Sequence, residues 1–258
     1  MFQENKLKAK KRYGQNFLKD QNVISKIIEL IKPQGEKILE IGPGRGALTK
    51  ILNQQAKEFT AFEIDRDMVD YLQKNNILNQ NQIVQGDFLI ADLEKYKDYV
   101  VVGNIPYYIT SDIIFKLLDY RHNFKKAILM VQNEVAQRLV AKPNQNDYSK
   151  LSITVQYCAD VKKELFVKKT YFDPVPKVDS AIVSITFKNE ENDNYENLKD
   201  FFKLCFLARR KKLSFALATK YSNDKIKIAY NKLNLKELTR IQELDLKTIL
   251  ALYDCLEN

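Results

Sequence analysis

The feature that most constrains the fold is a short apolar segment that runs into a glycine-rich turn and then a helix, at residues 38–52. Residues 38–41 have the character of a buried strand, glycines occupy alternate positions at Gly42, Gly44 and Gly46, and the apolar spacing after them predicts a helix. A glycine turn between strand and helix lets a ligand approach the backbone, because no Cβ stands in the way. The spacing is G-x-G-x-G, which matches neither the dinucleotide pattern nor a P-loop. Alone, the turn is compatible with a cofactor site and with a tight structural turn.

Length and charge restrict the choice of domain organisation and partner. The 258 residues suffice for one large domain or for a large and a small one, and an apolar content of 45% supports a sizeable core. Lysine and arginine number 42 against 33 acidic residues, which gives a formal charge of +9. A basic surface suits a polyanion, with nucleic acid favoured over membrane. A general excess of lysine and asparagine in the proteome is the alternative explanation.

The cysteine and histidine content argues against several classes of site. Cys158, Cys205 and Cys255 are odd in number, widely spaced and embedded in apolar runs, so neither a disulfide framework nor a zinc site is expected. The single histidine, His122, nearly excludes histidine triads and multi-histidine metal sites. We therefore expect no metal and a reducing, cytoplasmic setting. The basic segment 1–12 lacks the apolar core of a signal peptide, and no apolar run is long enough to span a membrane.

Strands alternate with helices from the glycine turn to residue 187, which predicts a mostly parallel sheet. Glu63 ends a predicted strand at 59–64, about 20 residues after the glycines, where an acid can bind the hydroxyls of a ribose. Helix capping is the alternative role for an acid here, above all for Asp65. Asp87 follows a short strand at 82–84 and precedes Phe88. It is suited to accept from an adenine amino group, and a plain strand-end turn is the alternative.

The second informative stretch, residues 99–108, is an apolar strand that ends in Asn104-Ile105-Pro106-Tyr107. A wholly apolar strand is buried on both faces, and open α/β sheets bind ligands at the carboxyl ends of their strands. An amide oxygen of Asn104 and the carbonyl of Ile105 can accept both N–H bonds of an exocyclic base amine and so localise its lone pair. Tyr107 offers a face for stacking a flipped base. Together with the nucleoside-binding acids, this pattern implies S-adenosylmethionine as methyl donor; core packing is the alternative for Tyr107 and Tyr108.

The rest of the chain has weaker patterns. Residues 151–157 fit a helix or a strand, and 161–167 with 180–187 predict a closing hairpin around a loop at 172–179. A polar linker at 189–195 precedes an all-helical pattern. We therefore predict two domains, at 1–189 and 190–258, with a basic arm at 1–12 that is either solvated or bound to phosphates. A basic run is placed on the first helix of the second domain: Arg209, Arg210, Lys211 and Lys212.

The motifs, in their order along the chain, resemble those of the ribosomal RNA adenine dimethyltransferase family. The resemblance covers nearly the whole chain, most loosely around 206–213, and favours the branch that modifies the small subunit. It departs from the family pattern at Ser149, where a glycine is usual. The matching segments are Gly14-Gln15-Asn16-Phe17-Leu18, Glu40-Ile41-Gly42-Pro43-Gly44-Arg45-Gly46, Glu63-Ile64-Asp65, Gly86-Asp87, Asn104-Ile105-Pro106-Tyr107-Tyr108 and Phe172-x-Pro174-x-Pro176-Lys177-Val178-Asp179-Ser180-Ala181.

The resemblance implies a Rossmann-like class I methyltransferase sheet, mostly parallel with one antiparallel strand, and a small all-α domain that binds RNA. It implies N6,N6-dimethylation of two adjacent adenosines in the loop near the 3′ end of 16S rRNA, on an immature 30S particle, by a monomer. The implied target-base residues are Asn104, Tyr107 and Phe172. The implied cofactor contacts are Asn16, Leu18, Gly42, Glu63, Asp87 and Asn104. A large-subunit, resistance-conferring methyltransferase and a non-catalytic assembly factor on the same fold are the alternatives.

Overall fold

The computed structural model describes residues 7–188 and 194–257. The strands in these ranges are β1 (Phe17–Leu18), β2 (Lys37–Ile41), β3 (Glu58–Glu63), β4 (Ile83–Gln85), β5 (Tyr99–Asn104), β6 (Phe124–Gln132), β7 (Ala159–Val167), β8 (Phe172–Asp173) and β9 (Ser180–Phe187). The α-helices are α1 (Gln21–Ile31), α2 (Thr49–Gln55), α3 (Arg66–Lys74), α4 (Thr110–Asp119), α5 (Asn133–Val140), α6 (Lys150–Cys158), α7 (Tyr195–Cys205), α8 (Leu213–Leu217), α9 (Asn223–Lys232) and α10 (Leu246–Glu257).

Seven strands form one sheet in the order β4-β3-β2-β5-β6-β9-β7. The pairs β2–β3, β3–β4, β2–β5 and β5–β6 are parallel, and β9 runs antiparallel to β6. The chain proceeds outward from β2 to β4 and then returns to the opposite side of β2 with β5. This reversal of strand order leaves a crevice at the carboxyl ends of β2 and β5, the usual ligand position in such sheets. The predicted fold class is confirmed.

Apolar periodicity explains how α1 packs against this sheet. Asp20 begins the helix, because its side chain accepts a hydrogen bond from Val23 N at 2.9 Å. Val23, Ile24, Ile27 and Ile31 are buried on one face. Lys32 ends the helix in a left-handed conformation, directly before Pro33. The helix therefore closes one face of the core that contains Ile38 and Val100 of the central strands.

One segment differs from the prediction, and another settles an alternative that the sequence left open. Phe172–Asp173 lies within the predicted loop but forms β8, which pairs antiparallel with β1. The ambiguous segment at 151–157 is helix α6. Ser149, the departure from the family pattern, begins that helix in an extended conformation with a capping box to Ser152, so a serine satisfies the backbone here without glycine.

The chain divides into two compact units, Met1–Ala136 with Val161–Asn189 and Gln137–Asp160 with Glu190–Asn258. The division differs from the predicted boundary because 137–160 groups with the C-terminal helices. Tyr148 shows the reason: its ring is buried in the same apolar cluster as Phe202 and Leu252, and its hydroxyl donates to Leu244 O at 3.0 Å. Most of the predicted linker, residues 189–193, lies outside the described residues. In the two described ranges, no helix is both long and apolar enough to cross a membrane.

Candidate active site

A cavity of about 200 Å³ opens in the first unit, at the carboxyl ends of the central strands. It is lined by β2 and its glycine turn, by the ends of β3 and β5, and by the residues that precede β1. The structure brings seven of the residues that were predicted for the site to this one cavity. They are Asn16, Leu18, Gly42, Glu63, Asp87, Asn104 and Tyr107.

The glycine turn forms one wall of the cavity for steric reasons. Gly42 and Gly44 have positive φ angles of 70° and 55°, a region that disfavours side chains. A Cβ on Gly44 would lie 2.9 Å from the ring of Phe17, so this position has no room for one. A Cβ on Gly42 would meet nothing nearer than Asn104 O at 4.0 Å. The missing side chain at Gly42 therefore leaves open space beside the backbone.

Glu63 ends β3 with its carboxylate held by backbone donors. Asp65 N donates to Oε1 at 2.9 Å, and Gly44 N donates to Oε2 at 3.2 Å. Burial raises the pKa of the Glu63 carboxyl, while these backbone bonds act in the opposite direction. The turn and the acid are thus positioned together, and the remaining lone pairs of the carboxylate suit the hydroxyls of a ribose.

The position of Asp87 is compatible with both roles that the sequence left open. Its Oδ1 accepts from Leu89 N at 2.9 Å and begins a short 3-10 helix, Phe88–Ile90. The residue also lines the cavity, next to Phe88, whose buried ring packs edge-on against Phe62 at 5.3 Å. A strand-end turn and an acceptor at the cavity wall are therefore compatible at this position.

The geometry at Asn104 fixes the orientation of its amide. Asn104 Nδ2 donates to Asn16 O at 2.7 Å, which leaves Oδ1 as the acceptor of this side chain. Tyr107 is half-buried, and its hydroxyl lies 2.8 Å from Ser180 Oγ, which fixes the ring at the cavity. The core-packing alternative is wrong for Tyr108, which is 61% exposed.

The residues before β1 line part of the cavity and are held by Asp65, through contacts that the sequence patterns did not predict. Asp65 is 1% exposed and begins α3 by accepting from Asp67 N at 3.1 Å. It also accepts from Lys10 Nζ at 2.6 Å and Gln15 Nε2 at 2.9 Å. Burial opposes ionisation of Asp65, but the bonds from Lys10 and Gln15 prevail and hold its pKa below the usual range. The presence of Gln15 in the matched motif is the sequence feature that could have indicated these contacts.

The predicted basic arm is only partly described. Residues 1–6 lie outside the described residues. Within 7–12, Lys10 forms ion pairs with Asp65 and Asp67, both at 2.6 Å, and Arg45 Nη2 donates to Leu7 O at 2.7 Å. This part of the arm is therefore attached to the first unit, which corrects the expectation of a wholly solvated segment.

Phe172 does not line the cavity. The register of β1 with β8 pairs it with Leu18, which does line the cavity, and the Phe172 ring is 1% exposed in the apolar core. Its neighbour Asp173 carries the outward-facing side chain of β8, which is 54% exposed. The alternation of side chains along a strand is the physical reason. The Phe172 ring is therefore not exposed to the cavity in this arrangement, and its stacking on the target base stays a prediction.

The basic run of the second unit lies in a turn. Helix α7 ends at Cys205 and α8 begins at Leu213, so the predicted position on the first helix is wrong. Arg209 donates to the backbone carbonyls of Gln145 and Asn146, and Lys212 pairs with Glu237 at 2.8 Å. Arg210 and Lys211 are exposed, and the Lys211 ammonium lies 3.9 Å from the ring centre of Phe215.

The cavity fits S-adenosylmethionine by its steric and chemical character. The open space at Gly42 admits a group against the backbone, and the buried carboxylate of Glu63 and the side chain of Asp87 supply acceptors along the cavity wall. Within residues 7–188 and 194–257, no three His, Cys, Asp or Glu side chains cluster in a way that would hold a metal ion. The open space at Gly42 and the acceptors of Glu63 and Asp87 suit an organic nucleoside cofactor.

Comparison with known proteins places these features in a family. The family model described as ribosomal RNA adenine dimethylase matches residues 6–258. The ribosomal RNA small subunit methyltransferase A of Mycoplasmopsis synoviae (strain 53) is 51% identical over 249 residues, which are 95% of this chain and 96% of the relative.

Two solved structures share the fold over most of the chain. A dimethyladenosine transferase from Plasmodium falciparum has a TM-score of 0.77 at 30% identity and covers 92% of this chain and 95% of its own. The 23S rRNA methyltransferase ErmE has a TM-score of 0.72 at 28% identity, over 94% and 100% of the two chains. The chain therefore belongs to the ribosomal RNA adenine dimethylase family, whose members transfer methyl groups from S-adenosylmethionine.

Proposed function

We propose that this protein dimethylates N6 of two adjacent adenosines in the 3′-terminal hairpin loop of 16S rRNA, on an immature small ribosomal subunit. The observation that carries this proposal is the Asn104 amide, held by Asn16 O so that Oδ1 accepts, beside Tyr107 in the cavity. The 51% identity with a relative named for the small subunit favours that substrate. The odd number and wide spacing of the three cysteines in the sequence support the reducing, cytoplasmic setting that belongs to this proposal.

The residues around the cavity explain how an unreactive amine becomes a nucleophile. The lone pair of an adenine amine is delocalised into the ring. Asn104 Oδ1 accepts one N–H of that amine and favours a pyramidal nitrogen with a localised lone pair. Tyr107, fixed through Ser180, stacks on the extruded base, an interaction of about 1–3 kcal/mol. No strong general base is required, because the amine attacks before it loses its proton.

The cofactor would be held by the glycine turn at Gly42, by Glu63 at the ribose and by Asp87 at the adenine. When bound, S-adenosylmethionine supplies an electrophilic methyl group on a sulfonium. The chain's own part is to orient the amine and to exclude water from the cavity, whose walls are largely apolar, as at Leu18, Ile105 and Met130.

Replacement of Asn104 by alanine tests the proposal. We expect N104A to lose about 10²–10³-fold in the methylation rate of small subunits from a strain that lacks the modification, the loss typical of one oriented polar group at a reacting centre. Methyl incorporation and mass mapping of the rRNA 3′ fragment measure the effect. N75A, an exposed asparagine on the surface near α3, is the matched control. Calorimetry with S-adenosylhomocysteine separates loss of chemistry from loss of cofactor. A wild-type rate for N104A would contradict the proposed role.

A second candidate function rests on the similarity to ErmE, which is named for 23S rRNA. The two candidates differ in the nucleotide that is modified, and mass mapping of both rRNAs decides between them. Methylation of 23S rRNA alone would overturn the small-subunit proposal while leaving the chemistry at Asn104 intact. If calorimetry showed no cofactor binding, a non-catalytic assembly factor on this fold would be favoured.

A further inference from the structure

A second cavity, of about 580 Å³, opens beside the active-site cavity within the first unit. We call it the basic cleft. Its walls include Lys8, Lys11, Arg45 and Asp173, and its floor includes Asn16.

The basic cleft and the active-site cavity are adjacent and share four lining residues. Gly14, Gln15, Asn16 and Arg45 line both. Asn16 connects them most directly, because its backbone oxygen accepts from Asn104 Nδ2 at 2.7 Å while the residue also faces the basic cleft. If the target base of an RNA strand reaches Asn104, the phosphate backbone of that RNA therefore lies close enough to contact the basic cleft.

The charges of the basic cleft favour an anion. Lys8 and Lys11 are exposed, and within the described residues neither ammonium has a hydrogen-bonding or ion-pair partner. Their neighbour Lys10 is used differently, since it is bound to Asp65 and Asp67. The lone carboxylate of the basic cleft, Asp173, is paired with Arg45 at 2.9 Å. The two free lysines thus set the sign of the local potential.

Arg45 gives the basic cleft a rigid side. Its guanidinium lies 4.2 Å from the centre of the Phe17 ring, and its Nη2 donates to Leu7 O at 2.7 Å. These contacts join the glycine turn to the segment that carries Lys8 and Lys11. The lysines are consequently presented from backbone that is fixed to the active site, which reduces the entropy lost when an anion binds.

We propose that the basic cleft binds the phosphodiester backbone of the RNA beside the target adenosine, through Lys8 and Lys11. This proposal rests on the proposed function and deepens it, since it names the contacts that position the RNA backbone while the target base lies at Asn104. A carboxylate of the cofactor is the other anion that this chemistry suits, and the experiment separates the two.

The experiment compares K8Q/K11Q with wild type in the full-length protein. The control K26Q/K74Q removes the same charge from exposed positions on α1 and α3 that line neither cavity. Binding of a fluorescent oligonucleotide with the 16S 3′-terminal hairpin is measured over a KCl series. Loss of two single-strand phosphate contacts lowers the log–log salt slope by about 1.4 and weakens binding by roughly tenfold at 0.1 M salt. Calorimetry measures S-adenosylhomocysteine affinity, and thermal denaturation checks folding.

A lower slope and affinity in K8Q/K11Q but not in K26Q/K74Q, with unchanged cofactor affinity, is the expected result. Equal effects of the two double variants would overturn the proposal, and so would weaker cofactor binding with an unchanged RNA slope. Failure of the proposed function is distinguished from failure of this proposal, because it changes which RNA the wild-type protein binds and methylates. If wild type instead binds and methylates a 23S oligonucleotide, the same variants are compared on that RNA. If wild type binds neither RNA, both proposals fall.

Discussion

Glu40 is a carboxyl group in the core of the first unit, on β2 directly before the glycine turn. It is 3% exposed, and Thr49 Oγ1 donates to its Oε2 at 2.7 Å. The pKa of Glu40 is raised to about 8, chiefly by burial and further by the nearby charge of Glu63, while the hydrogen bond from Thr49 acts in the opposite direction. The group is therefore mostly protonated at neutral pH, and its removal from water is tolerable because it is uncharged.

This buried acid predicts a pH-dependent effect of E40Q. A glutamate in the unfolded chain ionises near pH 4.5, so the folded state holds one more proton between pH 4.5 and 8. The stability that protonated Glu40 contributes is complete below that window and is lost as pH rises through it. Glutamine keeps an acceptor for Thr49 and does not ionise. As pH rises across the window, the free energy of unfolding of E40Q should therefore increase relative to that of wild type by about 1 kcal/mol per pH unit.

Urea denaturation at pH 5, 6, 7 and 8 measures this difference. E29Q, at an exposed position on α1, is the control and should follow wild type at every pH. A constant difference between E40Q and wild type over this range would show that Glu40 is ionised in the fold, contrary to our interpretation.

At the scale of elements, α4 connects the two halves of the candidate site. It begins directly after the Asn104–Tyr107 segment, and its Lys116 reaches the turn that follows Asp87. Lys116 Nζ donates to Leu89 O at 2.8 Å and to Ala91 O at 2.5 Å. Burial lowers the pKa of Lys116, and the nearby charge of Asp87 opposes that effect. One side chain thus ties the turn at Asp87, the proposed adenine end of the site, to the helix that follows the proposed target-base residues.

We expect K116M to weaken cofactor binding by positioning rather than by direct contact. Hydrogen bonds that involve a charged group contribute about 1.5–3 kcal/mol, and partial exposure of Lys116 reduces that value. Loss of these bonds should loosen the Asp87 turn and raise the Kd of S-adenosylhomocysteine roughly tenfold. Calorimetry measures this, with K50M on the exposed side of α2 as control. Unchanged affinity in K116M, with the usual thermal stability, would remove Lys116 from this role.

Local patterns in the sequence predict the central elements but not the long-range pairs. The apolar run at 99–104 and the glycines after Ile41 identify β5, β2 and the turn, because burial on both faces and positive φ leave a direct mark on residue choice. Phe172 is different: its position depends on a two-residue strand that pairs with Leu18, far away in the chain. Such a short strand has no periodicity to detect. The same holds for the contact of Lys10 with Asp65, which is visible only once the chain is folded.

At the scale of the whole molecule, the two units carry different kinds of basic group. In the first unit, Lys8 and Lys11 lie in the basic cleft beside the active site. In the second unit, Arg209 has a structural role, since it donates hydrogen bonds to the backbone carbonyls of Gln145 and Asn146. Arg210 and Lys211 are exposed at the same turn. A net charge of +9 alone does not separate these roles, whereas the contacts do.

These contacts predict that replacing Arg209 affects stability, whereas replacing Arg210 and Lys211 affects RNA binding. R210Q/K211Q should keep the thermal stability of wild type and lose RNA affinity, with a salt slope lower by about 0.7 for each phosphate contact removed. R209Q should lower the melting temperature, because two backbone carbonyls lose their donor. Hairpin RNA binding over a KCl series and thermal denaturation give the two readouts. If R210Q/K211Q binds RNA with the wild-type slope, phosphate recognition must depend on other basic residues, and the basic cleft becomes the first place to test.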